Sequence, residues 1–193
     1  MQQDTFISHL IELRTRLMHA LMAVLAAFVV LFLWPGAGAI YDFLAAPLMQ
    51  ALPEGAKMIA TGVITQFMVP MKVTALLAFM IALPYVLYQA WAFVAPGLYE
   101  HERKLAVPII VASTLLFLIG VAFCYYFVFG TVFRFVNDFA PKSITPAPDI
   151  EAYFSFVITM FMAFGVTFEI PIAVIILVRS GVVSVEKLAQ ARP

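Results

Sequence analysis

The sequence predicts an all-α, polytopic membrane protein, a helical bundle with about four transmembrane helices. Of its 193 residues, 64% are hydrophobic and 11% are charged, whereas an ordinary soluble domain has about 45–50% and about 25%. Four apolar stretches also reach the roughly 20 residues that a helix needs to cross the hydrocarbon layer of a bilayer. A water-soluble core cannot accommodate this excess of apolar side chains, so we expect the chain to fold within a membrane.

Each predicted span is followed by proline, glycine or a terminal cation, which are typical helix-stop signals. The first span could alternatively be a signal peptide, because Ala37-Gly38-Ala39 resembles a cleavage site. Its apolar run is longer than the usual roughly 7–15 residues of a signal core, so we expect it to be retained. Residues 1–193 are thus one membrane domain, with external loops over residues 36–67 and 130–152 and four predicted spans: Leu17–Trp34, Val69–Val94, Leu105–Phe129 and Tyr153–Val178.

The two external loops differ in character. Residues 39–52 (AIYDFLAAPLMQAL) carry apolar residues at helical spacing, which predicts an amphipathic helix against the outer leaflet. The second loop holds Pro141, Pro146 and Pro148, so we expect its middle to be extended and irregular.

Basic residues in the flanks predict the orientation, because lysine and arginine are retained on the cytoplasmic side. With the amino terminus in the cytoplasm, seven of the eleven basic residues are cytoplasmic and four are not. The cytoplasmic ones would be Arg14, Arg16, Arg103, Lys104, Arg179, Lys187 and Arg192. We therefore expect a cytoplasmic amino terminus.

Several classes of function find no support in the sequence. Eleven acidic residues balance the eleven basic ones, so no overall field would attract nucleic acid. The single cysteine, Cys124, has no disulfide partner and no metal-ligand spacing, and we interpret it as a buried apolar residue. No phosphate-binding loop, HExxH motif or catalytic triad is visible, so we expect neither a cofactor, nor a metal, nor an enzyme.

Glu169 is the only acidic residue inside the four apolar stretches. A carboxylate at the centre of a membrane costs about 2.5–3.5 kcal/mol on insertion scales, so such residues usually face a cavity, a partner or a pathway. We expect Glu169 to face the bundle interior, lined by Phe161 and Met162 with Thr159 or Ser155. The alternative is a structural carboxyl group that is hydrogen-bonded to a neighbouring helix.

Prolines inside the predicted spans, Pro84 in the second and Pro108 in the third, indicate bent helices around a concavity. Pro171 has the same implication beside Glu169. Packing geometry alone explains most intramembrane prolines, so this pattern does not indicate a function.

The segment before the first span is amphipathic. Phe6, Leu10, Leu13 and Leu17 lie on one helical face, and His9, Glu12 and Arg16 lie on another. Glu12 and Arg16 could form only an exposed intrahelical pair, which is worth a few tenths of a kcal/mol.

Three motifs, in order, resemble those of the TatC family of the twin-arginine protein translocase. They are HLIELRTRL at His9–Leu17, WAFVAPGLYEHERK at Trp91–Lys104 and FMAFGVTFEIPIA at Phe161–Ala173. The resemblance implies six spans in a curved bundle with both termini cytoplasmic. The chain ends at Pro193, where the family enters its fifth span, so we expect two further spans to be missing.

The resemblance also implies a function and a set of partners. The family binds the twin-arginine signal peptides of folded proteins on the cytoplasmic face of the bacterial inner membrane, and assembles there with the single-span subunits TatB and TatA. The implied carboxylates for arginine recognition are Glu12 and Glu102, with Arg14, Phe93 and Arg103 around them. Glu169 matches the intramembrane glutamate of the family and Pro47 its outer-loop motif.

Two other functions stay open at this point. In an ion- or proton-coupled transporter, Glu169 would carry the proton and the prolines would mark broken helices. An intramembrane enzyme would need a set of nucleophilic residues, which the sequence does not show.

Overall fold

The described part of the chain is almost entirely helical. The computed structural model describes residues 2–51, 57–94, 103–139, 141 and 147–179. A π-helical turn, Cys124–Val128, joins the fourth helix to the fifth. The helices are α1 (Gln2–Leu33), α2 (Ala37–Ala51), α3 (Thr65–Val94), α4 (Arg103–Phe123), α5 (Phe129–Phe139) and α6 (Ile150–Arg179).

Four helical segments are long and apolar enough to cross a membrane. Each has 27 to 30 residues and a high mean hydropathy. They are Ile7–Leu33, Thr65–Phe93, Val107–Val136 and Ile150–Arg179. This confirms the predicted all-α membrane bundle, and the segments are longer than the predicted spans because the helices continue into flanking polar residues.

The third span does not end at Gly130, although the sequence analysis placed an external loop there. The chain passes through the π-helical turn and continues as α5 to Phe139. Phe129 is fully buried and its ring stacks on that of Phe161, 5.4 Å away, while Phe133 packs against Tyr153. Glycine inside a helix costs only about 1 kcal/mol relative to alanine, so this aromatic packing outweighs the stop signal.

The first span ends where it was predicted to end, at the Pro35-Gly36 turn. The amide of Gly36 donates to the carbonyl of Leu31 at 3.1 Å, and Gly36 has a φ of 94°. A left-handed residue that closes the last turn in this way is normally glycine, because a Cβ atom is unfavourable there.

The predicted amphipathic helix of the first loop is α2, which packs on α3 and α5. Two hydroxyl groups hold it to the bundle, because Tyr125 donates to the carbonyl of Phe43 at 3.0 Å and Tyr153 to that of Leu44 at 3.1 Å. Pro47 lies within this helix and does not end it. Contact with the outer leaflet stays a prediction.

The bundle consists of two helix pairs, α1 with α3 and α4 with α6, joined by contacts of α3 with α4 and α6. The α3 face toward the core carries Val69, Val73 and Ala78, which are fully buried. The helix continues through Pro84 to Val94. The bend predicted at Pro84 stays a prediction.

Asp149 joins the two loops at the α2 end of the bundle. It caps α6 by accepting hydrogen bonds from the amides of Glu151 and Ala152 through Oδ1. Its Oδ2 accepts from the hydroxyl of Thr61 at 2.7 Å, and Ile59 pairs with Asp149 in a β-bridge. The Thr61 hydroxyl and then the Ala152 amide hold the pKa of Asp149 below its ordinary value. These bonds fix the start of α6 relative to α3.

Candidate functional site

The polar face of α1 packs toward α3, and its apolar face is exposed. Leu10, Leu13 and Leu17 are each more than 40% exposed, whereas Glu12 and Arg16 are half-buried. This is the reverse of a soluble amphipathic helix, and it is the arrangement expected when the surrounding solvent is lipid.

Glu12, Arg16 and Gln89 form a hydrogen-bonded chain between α1 and α3. The Arg16 guanidinium donates to Oε1 of Glu12 from Nε at 2.8 Å and from Nη2 at 2.7 Å. Its Nη1 donates to Oε1 of Gln89 at 3.4 Å. Both bonds to Glu12 go to one oxygen, so Arg16 does not use Oε2. The predicted intrahelical pair is formed, and it also reaches the second span.

Phe93 lies on the same face of α3 as Gln89, one helical turn further along, and contacts α1 through His9. The two rings stack with centroids 4.4 Å apart and an interplanar angle of 23°. Arg14, by contrast, is exposed. The structure therefore brings Glu12 and Phe93 onto one end of the α1–α3 pair and leaves Arg14 at its surface.

Glu102 lies outside the described residues. Arg103 begins α4, but its side chain also lies outside them. Binding of two adjacent arginines requires the carboxyl groups of Glu12 and Glu102 to lie close together. That short distance therefore stays a prediction.

Glu169 lies in a second polar cluster, between α3, α4 and α6. It is 8% exposed, and its Oε2 accepts a hydrogen bond from the hydroxyl of Ser113, which is fully buried. The indole Nε1 of Trp91 donates to the same Ser113 oxygen at 3.1 Å. Among the described residues, Oε1 of Glu169 is buried without a hydrogen-bond partner. The contact with Ser113 is the hydrogen bond to a neighbouring helix that the alternative, structural role of Glu169 predicts. The Oε1 atom can still accept a hydrogen bond from a further group.

Two glycines allow α4 and α6 to approach closely enough for this contact. A Cβ atom on Gly120 would lie 2.8 Å from the carbonyl oxygen of Phe164, and one on Gly165 would lie 2.5 Å from the Phe117 ring. Gly120 is seven residues, or about two turns, after Ser113, so both lie on one face of α4. Close approach of helices at small residues is typical of membrane bundles.

The lining predicted for Glu169 is only partly present. Phe161 is 2% exposed and faces the core, but Ser155 and Thr159 are exposed, which contradicts their predicted position. The hydroxyl of Thr159 donates to the backbone carbonyl of Ser155 instead. A serine or threonine that bonds to its own helix needs no partner from another one.

Sequence reasoning missed Gln89, Trp91 and Ser113, because no charge marks them inside the apolar spans. Neutral polar residues in a span were the available signal, since their hydrogen-bonding groups also need protein partners in a membrane.

Cavity geometry would not have found these residues either. A cavity of about 360 Å³ lies between α2, α3 and α4 and is lined by apolar residues such as Ile40, Leu76 and Val121. Its lining includes Phe161 but neither Glu12 nor Glu169. No group of three or more potential metal ligands occurs in the described ranges.

The fold and site define a class of protein: a multi-pass membrane protein whose polar side chains lie between helices. Its residues 8–193 match the family model for the Sec-independent protein translocase protein TatC. The chain belongs to the TatC family. Members of this family are components of a protein translocase and not enzymes. This excludes the alternative function of an intramembrane enzyme.

Relatives cover nearly the whole chain. It is 46% identical to the Sec-independent protein translocase protein TatC of Haemophilus influenzae, over 100% of this chain and 74% of the relative. The TatC of Escherichia coli K12 is also 46% identical, over 99% of this chain and 74% of the relative. A crystal structure of a twin arginine translocase receptor, TatC, superposes with a TM-score of 0.81 at 34% identity, covering 94% of this chain and 79% of that one.

Proposed function

We propose that this chain is the receptor subunit of a twin-arginine translocase and binds the signal peptides of folded proteins. The observation that carries the proposal is the placement of Glu12. Its carboxylate lies at one end of the α1–α3 pair, where its partner Arg16 contacts Gln89 near the end of α3, the helix that precedes the segment containing Glu102. The similarity to a solved receptor of this family supports the same conclusion.

The chemistry of arginine recognition requires two acceptors. A guanidinium presents a planar fork of donors that a carboxylate accepts through two parallel hydrogen bonds. Adjacent side chains of an extended peptide point to opposite sides, so two consecutive arginines need acceptors from different segments. Glu12 on α1 and Glu102 before α4 meet this requirement, with Arg14, Phe93 and Arg103 as the surrounding contacts.

The apolar part of the signal peptide would then follow the bundle toward Glu169. The unpartnered Oε1 of Glu169 would accept a hydrogen bond from a backbone or side-chain group that enters between the helices. We assign Glu169 this binding role. Its hydrogen bond with Ser113 would orient the carboxyl group. Proton-coupled transport has no comparable support, because the family assignment explains the same glutamate without it.

Membership of the family supports a proposal for the location and the partners. We place the Glu12 end on the cytoplasmic side of the bacterial inner membrane, as the distribution of basic residues predicts. There the chain would assemble with the single-span subunits TatB and TatA.

Replacing either carboxylate with its amide is the test of this proposal. Glu12→Gln and Glu102→Gln keep the shape of the side chain and remove a charged hydrogen bond worth about 1.5–3 kcal/mol. Binding of a twin-arginine peptide to the protein in nanodiscs at physiological salt should therefore weaken about tenfold or more.

The matched control is Glu151→Gln, an exposed glutamate at the α2 end that accepts from Lys72 at 3.1 Å. It should leave the affinity unchanged. Equal affinities for all three variants and the wild type would refute the assignment of Glu12 and Glu102.

A further inference from the structure

Arg16 poses a problem for the proposed binding site, because it already occupies Glu12. The guanidinium donates twice to Oε1 of Glu12, at 2.7 and 2.8 Å. A peptide arginine that approached Glu12 would find another guanidinium, that of Arg16, already bound to the carboxylate. Any role of Arg16 in peptide binding at this contact rests on the proposed function.

Arg16 has a second acceptor within reach. Its Nη1 contacts Oε1 of Gln89 at 3.4 Å, which is long for a hydrogen bond, and Gln89 is 7% exposed. The buried amide oxygen could accept more strongly from a guanidinium that was released from Glu12. Meanwhile the Glu12 side chain is 38% exposed and that of Arg16 is 25% exposed, so the carboxylate is open to an entering peptide.

We propose that Arg16 is an internal competitor that occupies Glu12 in the free protein and shifts to Gln89 when a signal-peptide arginine binds. The exchange replaces one guanidinium with another, so Glu12 keeps its charged partner throughout. Gln89 accepts a hydrogen bond from Arg16 in the peptide-bound state. No covalent bond changes, and the movement is a change of side-chain rotamer on α1.

The competitor lowers the affinity of Glu12 for any cationic side chain that must displace it. An arginine of the peptide can replace Arg16 with an equal set of donors, because both present the same planar fork. A lysine offers a compact ammonium without that fork, so Glu12 itself prefers arginine. Displacing Arg16 costs the same free energy for either peptide, so Arg16 weakens both by one factor and leaves the ratio of their affinities unchanged.

Two substitutions test the competition in the intact chain. Arg16→Gln removes the competitor, so binding of the paired-arginine peptide and of the paired-lysine peptide should each tighten about tenfold. Gln89→Glu gives Arg16 a carboxylate on α3, so binding of the paired-arginine peptide should also tighten about tenfold. The gain from Gln89→Glu should vanish in the double variant with Arg16→Gln, because it acts through Arg16.

The opposite results would identify Arg16 as a group that merely holds Glu12 in position. In that case Arg16→Gln weakens binding of both peptides by the same factor, and Gln89→Glu leaves the arginine affinity unchanged or lower. If Arg16→Gln fails to fold, as judged by its unfolding transition, Gln89→Glu carries the test alone. A wild type without preference for paired arginines would refute the proposed function, whereas affinities that Arg16→Gln leaves unchanged or weakens would refute only this inference.

Discussion

Replacing Gly120 with alanine is expected to destabilise the bundle by about 1–3 kcal/mol, the range for forcing an extra methyl group into a packed core. The new Cβ atom would lie 2.8 Å from the Phe164 carbonyl oxygen and 2.9 Å from the Phe168 ring. A carbonyl oxygen belongs to the backbone of α6 and cannot rotate away, so the two helices must separate. The midpoint of thermal unfolding in detergent measures the effect.

Gly130→Ala is the matched control for that substitution. Gly130 also lies inside a helix, but nothing is within 4 Å of its added Cβ atom. Alanine there should be neutral or stabilising by roughly 0.5–1 kcal/mol, because glycine in a helix is entropically unfavourable. If both variants unfold at the same temperature, α4 and α6 do not meet at Gly120.

Glu169→Lys is expected to abolish most export of a twin-arginine reporter while the protein still inserts into the membrane. At the centre of a span, lysine and the acidic residue aspartate have similar free-energy costs of insertion, about 2.5–3.5 kcal/mol. Replacing the acidic Glu169 with lysine should therefore change membrane insertion little. However, an ammonium only donates hydrogen bonds, so it cannot accept from the Ser113 hydroxyl as Glu169 does. The cluster with Trp91 and Ser113 must therefore rearrange.

Glu169→Gln separates the charge from the hydrogen bond. The amide oxygen can still accept from Ser113, so this variant should fold and keep most of its export activity. Ser113→Ala removes the hydrogen-bond donor, so its export activity should lie between those of Glu169→Lys and Glu169→Gln. Full export in a Glu169→Leu variant, measured at equal protein level, would show that Glu169 has no binding role.

The four spans were predictable from the sequence because their signal is local: apolar runs of sufficient length. The α5 extension was not, because Gly130 is a stop signal by itself and only the packing of Phe129 on Phe161 shows why the helix continues. The same limit applies to α1. Its two faces could be separated by spacing, but only the structure shows that the face with Glu12 packs on α3.

The candidate site was predictable where charge marks it, as at Glu12 and Glu169. It was not predictable where neutral groups complete it. Gln89 and Ser113 are neutral polar residues in apolar spans, and their partners lie 73 and 56 residues away along the chain. Contacts over such separations depend on the helix pairing, which a single sequence does not provide.

A photo-crosslinking comparison tests the central claim most directly, because it locates the signal peptide on the bundle. Probes at His9 and Met49 sit at opposite ends of the fold, and both side chains are exposed. A twin-arginine signal peptide should label the probe at His9, on the same face of α1 as Glu12, and leave that at Met49 on α2 unlabelled. Paired lysines should abolish the label. Equal labelling at Met49, or labelling at His9 that survives the change to lysines, would contradict arginine recognition at the Glu12 end.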